Sequence, residues 1–325
     1  MRSLPYVTGA AAAAAVVVLA AAPVAAADDS GFTIQDPRMT ESSGLAASRV
    51  HPGIYWSHND QDEPRVFAID SKTGETVATI TLSGVGKPRD MEAISVGTDG
   101  NVYVGDIGDN LDGGWDHVWI YRFTEPKALK DMTVRATQYT VKYADGARNA
   151  EALMVHPKTG RVYIASKNED GGGLYEGPAT LSPTRTNVFR RMGEVPWVTD
   201  GAFSPDGKEL VLRSYFSARG YEWKDGGLGA DHRVPAPIQG QAESVTYTAD
   251  GTALMFGTEG EQSEVERVPL GKESVSDGGS KSPSEGGSSA ADDGGGDKSS
   301  FTYGLIVLVG AAALVFGGKR LLRRD

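Results

Sequence analysis

The sequence predicts an all-β protein folded as a five-bladed β-propeller, and three observations lead to this fold class. Short runs rich in Val, Ile, Tyr and Thr alternate with turn signals from Phe32 to Leu270, without helical periodicity. A similar strand start recurs five times at intervals of 43 to 59 residues, the size of a propeller blade. The last repeat lacks a strand, and a spare strand precedes the first.

The five starts share a pattern of one polar or acidic residue, one small residue and one apolar residue. Each is followed by a turn signal with glycine, the residue that supplies the positive φ of a tight hairpin. The starts are Ser43-Gly44-Leu45, Glu92-Ala93-Ile94, Glu151-Ala152-Leu153, Asp200-Gly201-Ala202 and Glu243-Ser244-Val245, and the turns are Pro52-Gly53, Asp99-Gly100, Thr159-Gly160, Asp206-Gly207 and Asp250-Gly251.

Second, third and fourth strands follow these turns in most repeats. The fourth strands are clear at Thr76 to Leu82 and Thr137 to Tyr143, and fainter near Val188 to Met192 and His232 to Val234. The fifth repeat has only three strands. The spare strand Phe32 to Ile34 is therefore predicted to close the ring as the outer strand of the fifth blade, which removes an exposed sheet edge.

Both chain ends carry membrane-targeting signals around the predicted propeller of residues 28–270. Residues 1–27 have the charged start, apolar core and small-residue exit of a secretory signal peptide, with an uncleaved anchor as the alternative. Residues 271–300 are rich in Gly, Ser and Asp and are predicted to form a disordered tether. Residues 301–318 are long and apolar enough for one transmembrane helix. The basic residues of the tail, 319–325, are expected to keep that end in the cytoplasm.

This topology predicts a cell-membrane protein with its propeller outside the cell. The chain has no cysteine, so disulfides do not contribute to its stability. Its formal net charge is -11. Nucleic acid is excluded as a partner, because phosphate binding needs a basic surface. Cations, or an extracellular ligand or surface polymer that binds together with cations, fit this charge better.

One face of the ring is predicted to hold the functional site. In an antiparallel blade, the first strand begins on the face where the second strand ends. Several polar residues that follow second strands are therefore candidates to line the ligand-binding face. They are Asn59, Asp60, Asp106, Asp109 and Asn110.

The polar residues of the five starts are the predicted metal ligands. Four carboxylates around a narrow channel repel one another, and protonation or a hard cation such as Ca²⁺ relieves this. The alternatives are hydrogen bonding to neighbouring backbone and a purely catalytic role. The five residues are Ser43, Glu92, Glu151, Asp200 and Glu243.

Four further residues are candidates for catalysis: His58, Lys167, Arg213 and Glu259. His58 lies beside the predicted acidic ring and could act as acid, base or ligand, or be structural. Lys167 and Arg213 could clamp an anionic ligand, or serve as counter-ions to Glu151 and Asp200.

The repeat starts, together with Asp106-Ile107-Gly108-Asp109-Asn110, resemble exported bacterial propellers of the SdiA-regulated type and their esterase-like or phytase-like relatives. The chain more distantly resembles the five-bladed calcium-activated nucleotidases (apyrases). That likeness implies calcium on a ring of serines and glutamates matched by Ser43, Glu92, Glu151 and Glu243. Asp200 stands where that pattern has serine, and no substrate motif of that family is matched.

The sequence therefore predicts a surface-displayed propeller that binds calcium and a small or polymeric ligand on its channel face. Whether it is an enzyme is left open. The alternatives are a metal-dependent phosphoesterase or nucleotidase-like hydrolase and, with less support, a glycoside hydrolase with paired carboxylates.

Overall fold

A computed structural model describes residues 31–60, 63–110 and 113–271. The predicted signal peptide, transmembrane helix and tail lie outside these residues, as does the predicted tether apart from Gly271. Within the described ranges, no helix is long and apolar enough to cross a membrane.

The described part of the chain is all-β, as predicted, and most of its strand pairings are antiparallel. The first three sets of strands follow one another along the chain. The first set is β2 to β5 (Ser42–Ala47, Ile54–Asn59, Arg65–Asp70, Thr76–Ser83). The second is β6, β7, β8 and β10 (Met91–Val96, Asn101–Asp106, Val118–Thr124, Thr137–Tyr143), with β9 (Met132–Arg135) before its last strand. The third is β11 to β14 (Ala150–Val155, Val162–Ser166, Gly172–Glu176, Asn187–Val195).

The last two sets include the strand that begins the described chain. The fourth set is β15 to β18 (Asp200–Phe203, Glu209–Ser214, Ser217–Lys224, Gly227–Val234). The fifth is β19 to β21 (Ala242–Tyr247, Ala253–Thr258, Glu264–Pro269), and β1 (Phe32–Thr33) pairs antiparallel with β21. This is the pairing expected for the spare strand.

The turn chemistry explains where the first hairpin of each set folds back. The glycines of all five predicted turns have φ between 68° and 77°, a conformation that is costly for residues with a Cβ atom. They are Gly53, Gly100, Gly160, Gly207 and Gly251.

The core lies between neighbouring sheets rather than inside any one of them. Trp56 and Ile80 of the first set, for example, pack in one cluster with Val104 and Tyr121 of the second. A cluster containing Phe32, Tyr55 and Met255 joins the fifth set to the first. The first strands also contact each other in the order β2, β6, β11, β15, β19 and back to β2. This radial packing of sheets is typical of a β-propeller.

Two parallel pairings join outer strands of neighbouring sets, and the sequence did not predict them. Strand β9 pairs parallel with β5, and β14 pairs parallel with β10. The fourth strands are also longer than their sequence signals: β14 spans Asn187–Val195 and β18 spans Gly227–Val234. Pairing between outer edges satisfies backbone groups that an open edge would leave to solvent.

Candidate functional site

The five predicted ring residues all lie at the beginning of first strands, and all are nearly inaccessible to solvent. Their relative exposures range from 1% for Asp200 to 7% for Glu243. We call this end of the ring the channel mouth. The opposite ends of the same strands line a cavity of about 170 Å³ with neutral residues such as Ser95 and Thr246. The acidic residues are therefore concentrated at one end.

The three glutamates differ from the other two ring residues because each lies at an irregularity in its strand pairing. The ladders of β6, β11 and β19 each skip one residue, and the skipped residues are Glu92, Glu151 and Glu243. An extra residue of this kind disrupts the ladder locally and re-aims a side chain, which is common at functional sites. In β2 the skipped residue is Gly44, and β15 has no shift, so Asp200 pairs directly with Arg213. Hence the ring is not five-fold regular.

Three buried carboxylates form the tightest group at the channel mouth, and we call Asp60, Asp90 and Glu92 the acidic triad. One carboxylate oxygen from each lies within 4.8 Å of the others. Asp60 directly follows β3, whereas Asp90 directly precedes β6, so the triad joins the first and second sets. The backbone N–H of Met91 donates to the Asp60 carbonyl at 3.0 Å, which fixes this junction.

Burial and repulsion between neighbouring carboxylates disfavour ionisation of Asp60 and Glu92. Burial, followed by the charge of Asp90, raises the pKa of Asp60 to about 10. Burial and the charges of Glu151 and Asp60 raise the pKa of Glu92 well above its usual range. Within the described residues, no donor group reaches Oδ1 of Asp60 or Oδ1 of Asp90. The two carboxyl groups can hydrogen-bond each other only when one of them is protonated. The triad therefore offers buried oxygen atoms that need either protons or a cation.

Residues around the triad hold it in place. Asn110 donates to Asp90 Oδ2 at 3.0 Å, and Ser43 Oγ lies 3.3 Å from Glu92 Oε2. Asp106 accepts from the Asp90 N–H at 2.8 Å and from the Tyr121 hydroxyl at 2.5 Å. These contacts assign Asp106 and Asn110 a positioning role in the structure.

A second group at the channel mouth contains a buried ammonium, and we call Glu151, Lys167, Tyr215 and Glu243 the lysine cluster. Lys167 Nζ lies 3.0 Å from Glu151 Oε1 and donates to the Tyr215 hydroxyl at 2.9 Å. The Tyr215 hydroxyl in turn bonds the Glu243 carboxylate. Burial raises the pKa of Glu243 to about 8, although Lys167 opposes that shift. Burial opposes the charge on Lys167, but the surrounding carboxylates raise its pKa well above normal.

Arg213 and Asp200 form a third arrangement with internal partners. The Asp200 carboxylate accepts from the backbone N–H groups of Gly201 at 2.7 Å and Val245 at 2.8 Å. Arg213 is 1% exposed and donates to the Ser244 carbonyl and to Gln239 Oε1. Together they connect the fourth and fifth sets. The charges of Arg213 and Asp200 act on each other, and burial raises the pKa of Asp200 well above its usual range.

The remaining predicted candidates lie beside these groups. His58 is fully buried, and burial lowers its pKa to about 4, so its ring is neutral at physiological pH. Its Nδ1 lies 3.2 Å from the Asn59 carbonyl oxygen. Glu259 is half-buried and accepts from Gln241 at 2.8 Å. Asp109 accepts from the Trp115 N–H at 2.8 Å, and Asn59 donates to the Arg38 carbonyl at 2.7 Å.

Sequence reasoning missed Asp90 and Tyr215. Tyr215 follows a second strand, which predicts its position on the channel face, but its sequence gives no signal that its hydroxyl contacts the ring carboxylates. Asp90 stands two positions before a repeat start, and a polar residue occupies the same place before three other starts. That second polar column, visible in the sequence, contains Glu41, Asp90, Asn149 and Gln241.

No protein-family model matches the chain, and no curated protein matches it. Among solved structures, a gluconolactonase from Xanthomonas campestris is 14% identical, with a TM-score of 0.43, over 73% of this chain and 89% of its own. An auxiliary nutrient binding protein from Bacteroides thetaiotaomicron is 12% identical, with a TM-score of 0.42, over 70% of this chain and 57% of its own. Similarities of this size carry no argument about ligand or reaction.

Proposed function

We propose that the chain is a five-bladed propeller, displayed outside the cell on a membrane anchor, that binds calcium at the acidic triad and a further ligand on the same face. Five sets of strands, the cyclic contacts of the first strands and the pairing of β1 with β21 support the blade number. The anchor and the location are supported by the sequence of residues 1–27 and 301–325 alone.

The observation that carries the calcium proposal is that no donor group of the described residues reaches two buried oxygens of the acidic triad, Oδ1 of Asp60 and Oδ1 of Asp90. Leaving a buried acceptor without a partner costs about 1 to 3 kcal/mol, and more when the group is charged. Within the described residues, no Lys or Arg forms an ion pair with Asp60, Asp90 or Glu92. A divalent ion would satisfy the oxygens and offset the charge together.

The donor set of the acidic triad fits calcium. Carboxylate oxygens are ligands that hard cations prefer, and Ca²⁺ accepts six to eight oxygens in flexible geometry. A Cβ atom at Gly108 would lie 2.5 Å from Asp90 Oδ2 and 2.7 Å from Glu92 Oε1, so a glycine there keeps the triad unobstructed. A bound ion would join the first and second sets and would present a Lewis acid to a ligand at the channel mouth.

The hydrolase alternatives receive less support from the contacts. A phosphoesterase needs cationic groups that are available to a phosphate. Lys167 instead pairs with Glu151, and Arg213 is 1% exposed and donates to the Ser244 carbonyl and to Gln239. Release of inorganic phosphate from nucleotides, or of reducing sugar from polysaccharides, by the purified chain would support an enzyme. We expect neither product.

Calorimetric titration of calcium into chelator-treated full-length chain in detergent tests the proposed function. We expect saturable binding that Asp90→Asn and Glu92→Gln each weaken roughly tenfold or more. Loss of a residue that only hydrogen-bonds a metal ligand already weakens metal binding by about that factor. Glu194→Gln is the matched control, because its side chain is 93% exposed. Absence of binding by the folded wild type would reject the calcium site.

A further inference from the structure

The lysine cluster places a side-chain ammonium where a metal ion could otherwise bind. Lys167 Nζ is within 3.0 Å of Glu151 Oε1 and 2.9 Å of the Tyr215 hydroxyl, and it lies 5.1 Å from the centre of the Tyr215 ring. Its side chain is only 12% exposed. Oxygen ligands and an aromatic face therefore surround a cation that the chain itself supplies.

The channel mouth thus contains two groups of carboxylates, which differ in whether a side-chain cation of the protein pairs with them. Glu151 and Glu243 share Lys167 and Tyr215. In the acidic triad, the charge of Lys167 acts on Glu92, but no Lys or Arg of the described residues forms an ion pair with any of the three carboxylates. Glu151 is the link between the groups, since its charge also acts on Asp60 and Glu92. Because Lys167 pairs with Glu151, the negative charge of Glu151 is compensated and adds less to the repulsion within the acidic triad.

We propose that the Lys167 ammonium occupies the cation position between Glu151 and Glu243, and thereby limits the channel mouth to one calcium ion, held by the acidic triad. This inference rests on the proposed function and adds a specificity-determining residue to it. A neutral side chain at position 167 leaves Glu151 and Glu243 without a counter-ion. Because calcium tolerates mixed carboxylate and hydroxyl ligands, such a variant admits a second ion there.

Calorimetric stoichiometry of calcium binding to the full-length chain in detergent tests this inference. We expect one ion per wild-type chain, two for Lys167→Met and Lys167→Gln, and one for Lys167→Arg, which keeps the charge. Adding Glu243→Gln to Lys167→Met removes the second ion. Lys208→Met is the control for loss of a lysine, because that side chain is 83% exposed. Near-ultraviolet circular dichroism checks that each variant is folded.

The outcomes separate the inference from the proposed function. Two ions in the wild type, or one ion in both folded neutral variants, overturns the inference and leaves the triad site standing. A third result is no ion in the wild type but one ion in Lys167→Met, which is lost when Glu243→Gln is added. That result rejects the triad site but supports the role of Lys167. No ion in any folded variant overturns both.

Discussion

At the scale of single residues, the carboxylates of Asp90 and Glu92 approach the backbone of Gly108 so closely that a Cβ atom there would clash with both. We expect Gly108→Ala to weaken calcium binding roughly tenfold or more, because the added methyl group displaces Asp90 or Glu92. Calorimetric titration measures this. Gly86→Ala is the control, since a Cβ atom there meets nothing closer than 3.8 Å. Equal affinities for Gly108→Ala and the wild type would show that the triad does not hold the ion.

The raised carboxyl pKa values predict how the stability of the calcium-free chain depends on pH. Asp60 and Glu243 have folded-state pKa values of about 10 and about 8, well above the value of about 4 for unfolded carboxyl groups. Between pH 5 and 8 the folded chain therefore binds more protons than the unfolded chain. The free energy of unfolding must then fall as pH rises, by about 1 kcal/mol or more.

Urea unfolding of metal-free protein at several pH values measures this dependence. Two groups have the opposite effect: Asp36, with a pKa of about 2, acts only at more acidic pH, and buried His58, with a pKa of about 4, acts up to about pH 6.5. The decrease in stability should therefore be steepest above pH 6.5. Asp60→Asn removes one of the carboxyl groups with a raised pKa, so the stability of this variant should vary less between pH 5 and 8. A wild-type stability that rises over this range would contradict the account of the acidic triad.

Sequence reasoning placed the ring glutamates correctly at the starts of first strands but could not group them. A repeat pattern identifies equivalent positions in the five sets. Which glutamates lie together depends instead on the strand pairings that skip a residue and on side chains that are not part of the repeat. Asp90 enters the site from the segment before β6, and Lys167 from the segment after β12. The choice between counter-ion and anion clamp for Lys167 required distances, which a sequence does not contain.

At the scale of elements, the two-residue strand β1 closes the fifth set by pairing with β21. Phe32 is 9% exposed and its ring centre lies 5.7 Å from that of Tyr55, across the junction with the first set. We expect Phe32→Ala to lower the free energy of unfolding by about 3 kcal/mol. Chemical denaturation measures this, with Phe216→Ala as the control because Phe216 is 67% exposed. Equal effects of the two substitutions would mean that β1 does not contribute to closure.

Strand positions and turns could be predicted because they depend on local chemistry. Alternating apolar residues mark strands, and glycines with positive φ end the first hairpins, as at Gly53 and Gly207. The pairing between outer strands of neighbouring sets could not be predicted from the sequence. The parallel pairings of β9 with β5 and of β14 with β10 depend on how neighbouring sheets pack, and a single strand carries no pattern that specifies them.

At the scale of the whole molecule, the absence of cysteine allows a direct test of membrane topology. We expect Ser288→Cys to react with a membrane-impermeant thiol reagent on intact cells, and Asp325→Cys to react only after lysis. The reason is that the basic residues between 319 and 324 resist translocation. Labelling of Asp325→Cys on intact cells would reverse the proposed orientation.

The proposal that one calcium ion joins the first and second sets is tested most directly by diffraction from crystals of residues 28–270 grown with calcium. An anomalous difference map locates the ion without reference to the ligands proposed for it. The account predicts one peak among Asp60, Asp90 and Glu92, and none between Glu151 and Glu243. A peak in the lysine cluster, or no peak at the channel mouth with calcium in excess, would contradict it.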